Sequence, residues 1–255
     1  MAARDAFHLA PDRSLALVRR HRWSGRIDRH AHRSLILGLV LEGECCTVGI
    51  RGVRMADTRR MFAVAPGEVH AHVAERPCSY VALCLAAPSL PPGRMLPTMA
   101  DDRGLVSAVA SLAETIEAGQ WPGRSDILAV TARAEGHFEL CPSLSGPPWL
   151  SRVVEYLERA IDTPFNLAEL ENLAGVSRFH LCRTFTARMG MTPGEYQLHA
   201  RLWRAKDLLT QGVSPVETAL ETGFADQSHL TRRFNRVVGL SPGLYARGRI
   251  RTHRA

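Results

Sequence analysis

The sequence predicts an α+β chain of two domains: an N-terminal β-barrel with two following helices, and a C-terminal all-α domain of two helix-turn-helix units joined by a linker helix. Three observations predict it. Short apolar runs broken by Gly and Pro fill residues 27–86, which is typical of a barrel of short strands. Apolar residues at helical spacing follow from Leu105. One motif then occurs twice in the last third of the chain, 49 residues apart, which indicates one structural unit built twice.

Positive charge is concentrated in the second half of the chain. The 255 residues carry a net charge of +7, and residues 150–255 hold 15 basic against 10 acidic side chains. A basic C-terminal half fits a polyanionic partner such as nucleic acid. Nearly all the basic side chains are arginines, since Lys206 is the only lysine.

The sequence carries no signal of export or membrane insertion. Residues 1–10 lack a sustained apolar core, so we expect no signal peptide, a cytoplasmic protein and no membrane partner. The longest apolar stretch, residues 34–41, is far too short to span a membrane. The cysteines show no zinc-finger spacing, and in a cytoplasmic protein we expect free thiols. They are Cys45, Cys46, Cys78, Cys84, Cys141 and Cys182.

The N-terminal part changes from strand to helix patterns. Residues 1–25 suggest an irregular arm, and strands are predicted over residues 34–41, 45–50, 61–65 and 79–86. Two stripes at helical spacing follow, namely Leu105, Val109, Leu112 and Ile116, and then Ile127, Val130, Ala134 and Phe138. These helices suit a core and suit a dimer interface equally well. We predict domains over residues 1–142 and 149–255, joined by a linker over residues 143–148.

The repeated motif predicts two helix-turn-helix units. The matched pairs are Leu181 and Leu230, Phe185 and Phe234, Gly190 and Gly239, Pro193 and Pro242, and Tyr196 and Tyr245. Helices are predicted over residues 149–161, 167–174, 178–189, 193–210, 215–222 and 226–238. The third and sixth of these are the candidate recognition helices, and the long fourth helix joins the two units.

Each recognition helix has an apolar face and a polar face. With Leu181 and Leu230 turned inward, the outward residues include Arg, Gln, Ser and Thr, whose side chains can read base edges in a major groove. Arg183 and Arg232 occupy equivalent positions and could each hold a guanine, while Arg236 suits a phosphate. The alternative is an ordinary solvated helix face. The candidate DNA-binding residues are Ser177, Arg178, Phe179, Cys182, Arg183, Gln227, Ser228, His229, Thr231, Arg232 and Arg236.

These residues resemble the arabinose-operon-regulator (AraC/XylS) family of transcription factors over about residues 149–250. The second copy carries most of the resemblance, through Gly223-Phe224, Ser228-His229-Leu230, Arg233-Phe234, Gly239, Ser241-Pro242 and Tyr245. The resemblance implies that one chain inserts two recognition helices into successive major-groove segments. It implies base-reading roles for Arg183 and for residues 227–232, whereas Phe179 and Cys182 differ from the residue types that the family often has.

The first half is similar to that family's cupin-like effector domain. The residues that carry this similarity are His30-Ala-His32, the strand at residues 35–41 followed by Glu42-Gly43, and Pro66-Gly67-Glu68-Val69-His70. The similarity implies a small barrel that holds one ligand. The candidate effector-binding residues are His30, His32, Arg33, His70 and His72.

The four histidines lie at two strand ends that the cupin fold would bring together. Imidazoles at alternating positions point the same way from a strand, so the geometry permits a metal, and a ligand carboxylate held by the histidines or by Arg33 is the competing use. Enzymatic cupins place a glutamate a few residues after the first histidine pair, whereas Glu42 comes ten residues after His32. We therefore predict no metal and no cofactor.

The sequence predicts a sequence-specific DNA-binding transcriptional regulator, an effector-responsive activator and not an enzyme. The partners expected are double-stranded promoter DNA, a small-molecule effector, RNA polymerase and a second copy of the chain. One alternative is a metal-dependent cupin enzyme fused to a DNA-binding domain. Another is a constitutive DNA-binding protein whose barrel only dimerises.

Overall fold

The computed structural model describes residues 5–10, 12, 14–49, 52–87, 90, 95–97, 102–140 and 146–247. The chain forms two compact units. The described residues up to 140 belong to the N-terminal unit, and segment 146–247 belongs to the C-terminal unit. Within these ranges the N-terminal unit is rich in antiparallel strands, and all regular structure of the C-terminal unit is helical. No helix in these ranges is long and apolar enough to cross a membrane.

The N-terminal unit is built on one antiparallel sheet. Its strands are β1 (Ala6–Leu9), β2 (Leu15–His30), β3 (Leu35–Glu42), β4 (Glu44–Gly49), β5 (Gly52–Asp57), β6 (Met61–Val64) and β7 (His70–Leu85). The pairing order is β1-β2-β7-β3-β6, with β4 paired to β5 and to β7. Strands β8 (Met95–Pro97) and β9 (Phe138–Leu140) form a second sheet. The predicted two-domain α+β class is confirmed. Over the described residues, however, the order of hydrogen-bonded strands begins at β1 and ends at β6, and these two strands do not pair with each other. The predicted barrel is therefore not closed.

Two 16-residue strands, β2 and β7, determine the shape of the sheet. Their pairing has register shifts between Arg20 and Trp23 and at two later points, and such bulges bend and twist strands. The first part of β7 pairs with β4 and its last part pairs with β3. One continuous strand therefore carries His70 and His72 at its start and the buried core residues Leu83 and Leu85 at its end.

Two helices, α1 (Arg103–Glu117) and α2 (Arg124–Glu135), complete this core. The four stripe residues of α1 are all buried together with leucines of β2, β3 and β7, so the stripe belongs to the core of its own chain and not to a dimer interface. Val130 and Ala134 of α2 join the same cluster. The predicted helical stripe ends earlier than expected, because Phe138 lies on β9.

Several predictions for the N-terminal part were incomplete. Residues 6–9 and 15–25 are strand and not an irregular arm, and the strand predicted over 79–86 is the end of the longer β7. Strands β5, β8 and β9 were not predicted. Ile50, Arg51, Cys141, linker residues 143–145 and the ends of the chain, 1–4 and 248–255, lie outside the described residues.

The C-terminal unit contains seven helices within residues 146–247. They are α3 (Pro148–Arg159), α4 (Leu167–Ala174), α5 (Arg178–Met189), α6 (Pro193–Gln211), α7 (Pro215–Glu221), α8 (Gln227–Val238) and α9 (Pro242–Ala246). The side chains of Asn166, Ser214 and Asp226 each accept a backbone N–H at the start of α4, α7 and α8. Only α9 was not predicted.

The two repeat units have matching frames. The ring of Phe185 meets Tyr196 edge-to-face with centroids 5.7 Å apart, and Phe234 meets Tyr245 in the same way at 5.3 Å. Gly190 and Gly239 end α5 and α8 with φ of 73° and 74°, a left-handed conformation that favours glycine. Tyr245 also lies 6.0 Å from the ammonium group of Lys206 on α6. The sequence repeat is therefore a structural repeat, down to its aromatic pairs.

Gly38 has almost no room for a side chain. It pairs with Phe62 across β3 and β6, and the Phe62 ring lies directly over its Cα. A Cβ at this position would lie 2.0 Å from Cζ of Phe62. Phe62 is itself packed against the rings of His72 and Tyr80, so it has little freedom to withdraw.

We expect Gly38→Ala to lower the free energy of unfolding by about 1–3 kcal/mol, because a methyl group here overpacks the interior. Gly136→Ala is the matched control, since Gly136 has an ordinary φ of −62° and its Cβ would have its nearest contact at 3.4 Å. Urea unfolding of both variants measures the difference. Equal stability of Gly38→Ala and the wild-type protein would show that Phe62 yields freely.

Candidate nucleic-acid interface and effector site

The predicted outward face of α5 is exposed in the structure. Arg178, Phe179 and Arg183 are exposed and Cys182 is half-buried, whereas Leu181 and Phe185 are fully buried on the opposite side. The exposed Ser177 begins the helix, and its hydroxyl accepts the backbone N–H of His180. We call these outward residues the α5 face. Their roles in DNA binding stay predictions.

Phe179 and Arg183 form a pair on the α5 face. The guanidinium of Arg183 lies 5.8 Å from the centroid of the Phe179 ring, a cation–π arrangement. Phe179 is 71% exposed, which is unusual for a large apolar side chain. Arg178 is less free, because Nε lies 3.8 Å from Glu171 and its backbone N–H donates to the same carboxylate. Arg183 is therefore the better placed of the two arginines to reach a base edge.

The equivalent surface on α8, which we call the α8 face, is also exposed. Gln227, Ser228, Arg232 and Arg236 are exposed and Thr231 is half-buried. Asp226 accepts the backbone N–H of His229 at 2.7 Å and so fixes the start of the helix. The His229 ring meets Phe224 edge-to-face at 5.3 Å. That contact ties the ring to the turn, so His229 also has a structural role.

The two faces match position by position. A shift of 49 residues pairs Arg183 with Arg232, and each lies six residues after the side chain that caps its helix, Ser177 or Asp226. The same shift pairs Arg178 with Gln227, Phe179 with Ser228, and Cys182 with Thr231. The arginine is thus the constant element, while its neighbours differ between the two faces.

Side chains of the joining helix α6 hold the two repeat units together. Arg201 donates to the carbonyl of Gly223 at 2.9 Å and to the carbonyl of Thr163 at 2.8 Å. Gln197 donates to the carbonyl of Ala160 at 2.5 Å and more weakly to that of Thr163. The loop of the first repeat unit and the turn of the second are therefore bound to one helix. Burial lowers the pKa of Arg201.

The role of Arg201 was not predicted from the sequence. The available signal was a charged side chain close to the buried Leu202 and Ala205 on the joining helix, which is unusual without a partner. The glycine at position 223 is a second signal in the sequence. The structure gives its reason, because its φ is 71° and a Cβ would lie 2.6 Å from the carbonyl oxygen of Ile161. The backbones of the two repeat units therefore approach each other closely at Gly223 and Ile161.

In the N-terminal unit, three of the predicted histidines converge. One ring nitrogen each from His30, His32 and His70 lies within 4.8 Å of the others. His72 joins this histidine cluster through its ring, 4.9 Å from that of His70. His30, His70 and His72 are buried and His32 is half-buried, whereas Arg33 is exposed in the bend that follows.

Backbone carbonyls orient two of these rings. Nδ1 of His30 lies 2.7 Å from the carbonyl of Asp28, and Nδ1 of His70 lies 3.0 Å from that of Glu68. In metal proteins such a contact fixes the tautomer that leaves Nε2 for a ligand. Burial, and then the neighbouring imidazoles, hold the pKa of His30 well below its ordinary value, and burial does the same to the pKa of His72. Neutral imidazoles suit a divalent metal or a hydrogen-bonding ligand equally.

An ion pair supports the turn that presents His70. Arg54 donates to Glu68 at 2.5 Å, and the other carboxylate oxygen of Glu68 accepts the backbone N–H of Ala65 at 3.1 Å. Burial raises the pKa of Glu68, and the guanidinium of Arg54 opposes that rise. Gly67, in the same turn, donates its N–H to the carbonyl of His32 at 2.7 Å. These bonds hold the two histidine-bearing segments next to each other.

Comparisons with known proteins identify the C-terminal unit. A family model for a helix-turn-helix domain matches residues 170–248. YbfI of Bacillus subtilis (strain 168), an uncharacterized HTH-type transcriptional regulator, is 45% identical over 78 residues, which are 31% of this chain and 28% of YbfI. AarP of Providencia stuartii, an HTH-type transcriptional activator, is 30% identical over 97 residues, which are 38% of this chain and 72% of AarP.

The whole fold also has a solved counterpart. The crystal structure of ToxT from Vibrio cholerae O395 superposes with a TM-score of 0.60 at 10% identity, over 94% of this chain and 99% of ToxT. At that identity the likeness shows the fold alone. Among the curated relatives, the chain spans 28% of the length of YbfI and 37% of that of LumQ, a probable transcriptional regulator of Photobacterium leiognathi.

Two helix-turn-helix units on one joining helix, preceded in the chain by a sheet-rich N-terminal unit, define the class of two-domain helix-turn-helix regulators. The sequence match to AarP and the helix-turn-helix family model make the assignment narrower. The chain belongs to the AraC/XylS family of transcriptional regulators.

We expect Arg201→Met to lower the free energy of unfolding of the C-terminal unit by about 2 kcal/mol, because two hydrogen bonds from a charged donor are lost. Methionine keeps much of the apolar stem. Arg204→Met is the control, since Arg204 is exposed on the same helix. Urea unfolding followed by the helical circular dichroism signal compares the two. Equal losses in both variants would show that Arg201 does not hold the repeat units together.

We expect the metal-free N-terminal unit to lose stability as the pH falls from about 7.5 to 5.5. The folded pKa values of His30 and His72 lie below the ordinary 6.5, so the unfolded chain takes up protons first. The stabilisation is complete above pH 6.5 and decreases below it, by about 1.4 kcal/mol per pH unit for each histidine. Urea unfolding across this range, with a chelator present, measures the slope. His30→Gln/His72→Gln should flatten it and the exposed His21→Gln should not; an unchanged slope in the double variant contradicts the assignment.

Proposed function

We propose that this protein is an effector-responsive transcription activator that reads two successive major-groove segments of promoter DNA with α5 and α8. The observation that carries the proposal is the pair of matched exposed faces, each with an arginine at the same position. Arginine holds guanine through two parallel hydrogen bonds, the commonest specific contact in the major groove. The activator role is supported by AarP, which is named a transcriptional activator.

The proposal assigns different tasks to different arginines. Arg183 and Arg232 read bases, together with Gln227, Ser228 and Thr231, while Arg236 and the partly restrained Arg178 contact phosphates. Phosphate contacts fix position on the duplex and base contacts give sequence specificity. The junction at Arg201 supports this division, because two helices can read one continuous site only if their spacing is held.

We propose that the N-terminal unit binds a small effector at the histidine cluster. Its buried, neutral imidazoles have fixed ring orientations and can accept or donate hydrogen bonds to a ligand. Structures of ToxT are described as bound to an unsaturated fatty acid and to (E)-4-(8-methylnaphthalen-1-yl)but-3-enoic acid, so a protein of this fold takes small organic ligands. Effector binding then shifts the population of conformations that engage DNA or RNA polymerase.

The remaining partners follow from this role. We propose that the protein acts in the cytoplasm as a homodimer and contacts RNA polymerase at the promoter. Because its family is one of transcriptional regulators, we favour this function over the alternative of a metal-dependent cupin enzyme with a DNA-binding domain.

The test of the function is genome-wide DNA occupancy of the protein and of an Arg183→Ala/Arg232→Ala variant. Discrete peaks that vanish in the variant support specific reading by the two faces, and the genes next to the peaks nominate the effector. Diffuse occupancy that is equal in both proteins contradicts the proposal.

We expect Arg183→Ala or Arg232→Ala to weaken binding to the selected duplex by about 1–3 kcal/mol and to relax the sequence preference at one base pair each. Arg236→Ala should instead weaken all sequences alike and lower the slope of log affinity against log salt by about one. Fluorescence anisotropy on matched and single-mismatch duplexes at several salt concentrations measures both effects. Arg26→Ala in the N-terminal unit is the control, and a base-specific loss in Arg236→Ala would reverse the division of tasks.

A further inference from the structure

A cavity lies in the N-terminal unit, between the edge strand β6 and helix α1. Its volume is about 260 Å³, a little below the ~300 Å³ at which typical ligand pockets begin. Its walls are apolar and buried: Met61 and Ala63 come from β6, Leu37 from β3, Leu105 from α1 and Phe138 from β9. This space therefore suits a small apolar body rather than a polar one.

The rim of the cavity is basic. Arg59, Arg60 and His137 all line it, and both arginines are exposed. Asp102 is also present, but its carboxylate accepts from Arg133 at 2.7 and 2.6 Å and lies 3.0 Å from the His137 ring. The guanidinium of Arg133 first, and then the other donors, hold the pKa of Asp102 well below its ordinary value. The acidic group is thus already paired and does not neutralise the rim.

Arg59 is the cation best placed to meet a ligand. Arg60 has an ion pair with Asp57 at 3.1 Å, whereas no ion pair of the Arg59 guanidinium occurs among the described residues. Its positive charge is therefore open to an anion at the mouth of an apolar cavity.

The backbone of Arg59 adds an independent observation. Its φ is 67°, in the left-handed region that glycine or asparagine adopts with less strain. Hydrogen bonds on both sides hold it there: Arg59 N–H donates to the carbonyl of Val40, and Arg60 N–H donates to that of Asp57. Outliers held by surrounding structure cluster at ligand sites.

We propose that this cavity binds a small organic carboxylate, with its carboxylate on Arg59 and its apolar body between β6 and α1. The site is separate from the histidine cluster. The two sites are linked through Arg54, which lines the cavity and donates to Glu68 in the turn that presents His70. Resting on the proposed function, the inference gives the effector-responsive unit a second input, placed where the sheet meets α1.

The test uses three probes and the full-length protein. Hexanoate has both a charge and an apolar body, hexanamide has the same shape without the charge, and acetate has the charge without the body. We expect hexanoate to bind saturably in calorimetry and to raise the melting temperature with concentration, and the other two to bind at least about tenfold more weakly. No saturable binding of hexanoate, or equal binding of hexanamide, overturns the proposal.

Two variants locate the site. Arg59→Asn keeps a residue that tolerates the left-handed backbone and should reduce hexanoate affinity by about tenfold or more. Arg22→Asn is the matched control, because Arg22 is exposed and is the other non-glycine residue with positive φ among those described, at 48°. Val106→Phe, which fills the cavity, should abolish binding.

Equal affinity in Arg59→Asn and Arg22→Asn would place hexanoate elsewhere and overturn the proposal. DNA binding separates this result from failure of the proposed function. Arg59→Asn should bind the selected duplex like the wild-type protein in the absence of hexanoate, since Arg59 lies outside the C-terminal unit. If the wild-type protein showed no specific DNA binding, that result would contradict the regulator function and leave the cavity test intact.

Discussion

The hydrogen bonds of Arg201 are the constraint on which the arrangement of the two repeat units depends. A helix-turn-helix is too small to specify a long site alone, and two of them add specificity only if their relative position is fixed. Arg201 and Gln197 achieve this with backbone carbonyls, which cannot move independently of the chain. The bonds reach the loop after α3 and the turn before α8, so α6 acts as a rigid spacer rather than as a tether.

This constraint separates structure from specificity in the two repeat units. The aromatic pairs, the terminal glycines and the capping residues set the position of each recognition helix, and they recur with little change. The outward residues differ between the copies: where Phe179 lies beside Arg183, Ser228 takes the equivalent place beside Arg232. In the proposed function, this shared frame with different exposed side chains would allow one chain to recognise two different half-sites.

The sequence predicted best those features that depend on local chemistry. The predicted helix starts at residues 167, 215 and 226 depend on the side chains of Asn166, Ser214 and Asp226, so a few residues were enough to locate them. Strand β2 was not, because its arginines are accommodated by distant partners: Arg19 pairs with Glu117 and Arg20 with Asp5. At the candidate site, periodicity predicted the exposed faces, but the bonds of Arg201 to two separate loops needed the fold. The histidines were identified by spacing and the cupin resemblance implied that they meet, whereas the sheet shows that β2 and β7 are the strands that bring them together.

The single lysine has a practical consequence for chemical labelling. An amine-reactive reagent has only one side-chain target in the whole sequence, Lys206. Lys206 is on the joining helix α6, and its ammonium group lies next to the ring of Tyr245 on α9. The surfaces assigned to DNA are formed by arginines, which such reagents leave unmodified. A fluorophore attached through Lys206 would therefore lie on the joining helix beside the second repeat unit without altering the arginines of either face, and its emission would report on strain in the joining helix as DNA binds.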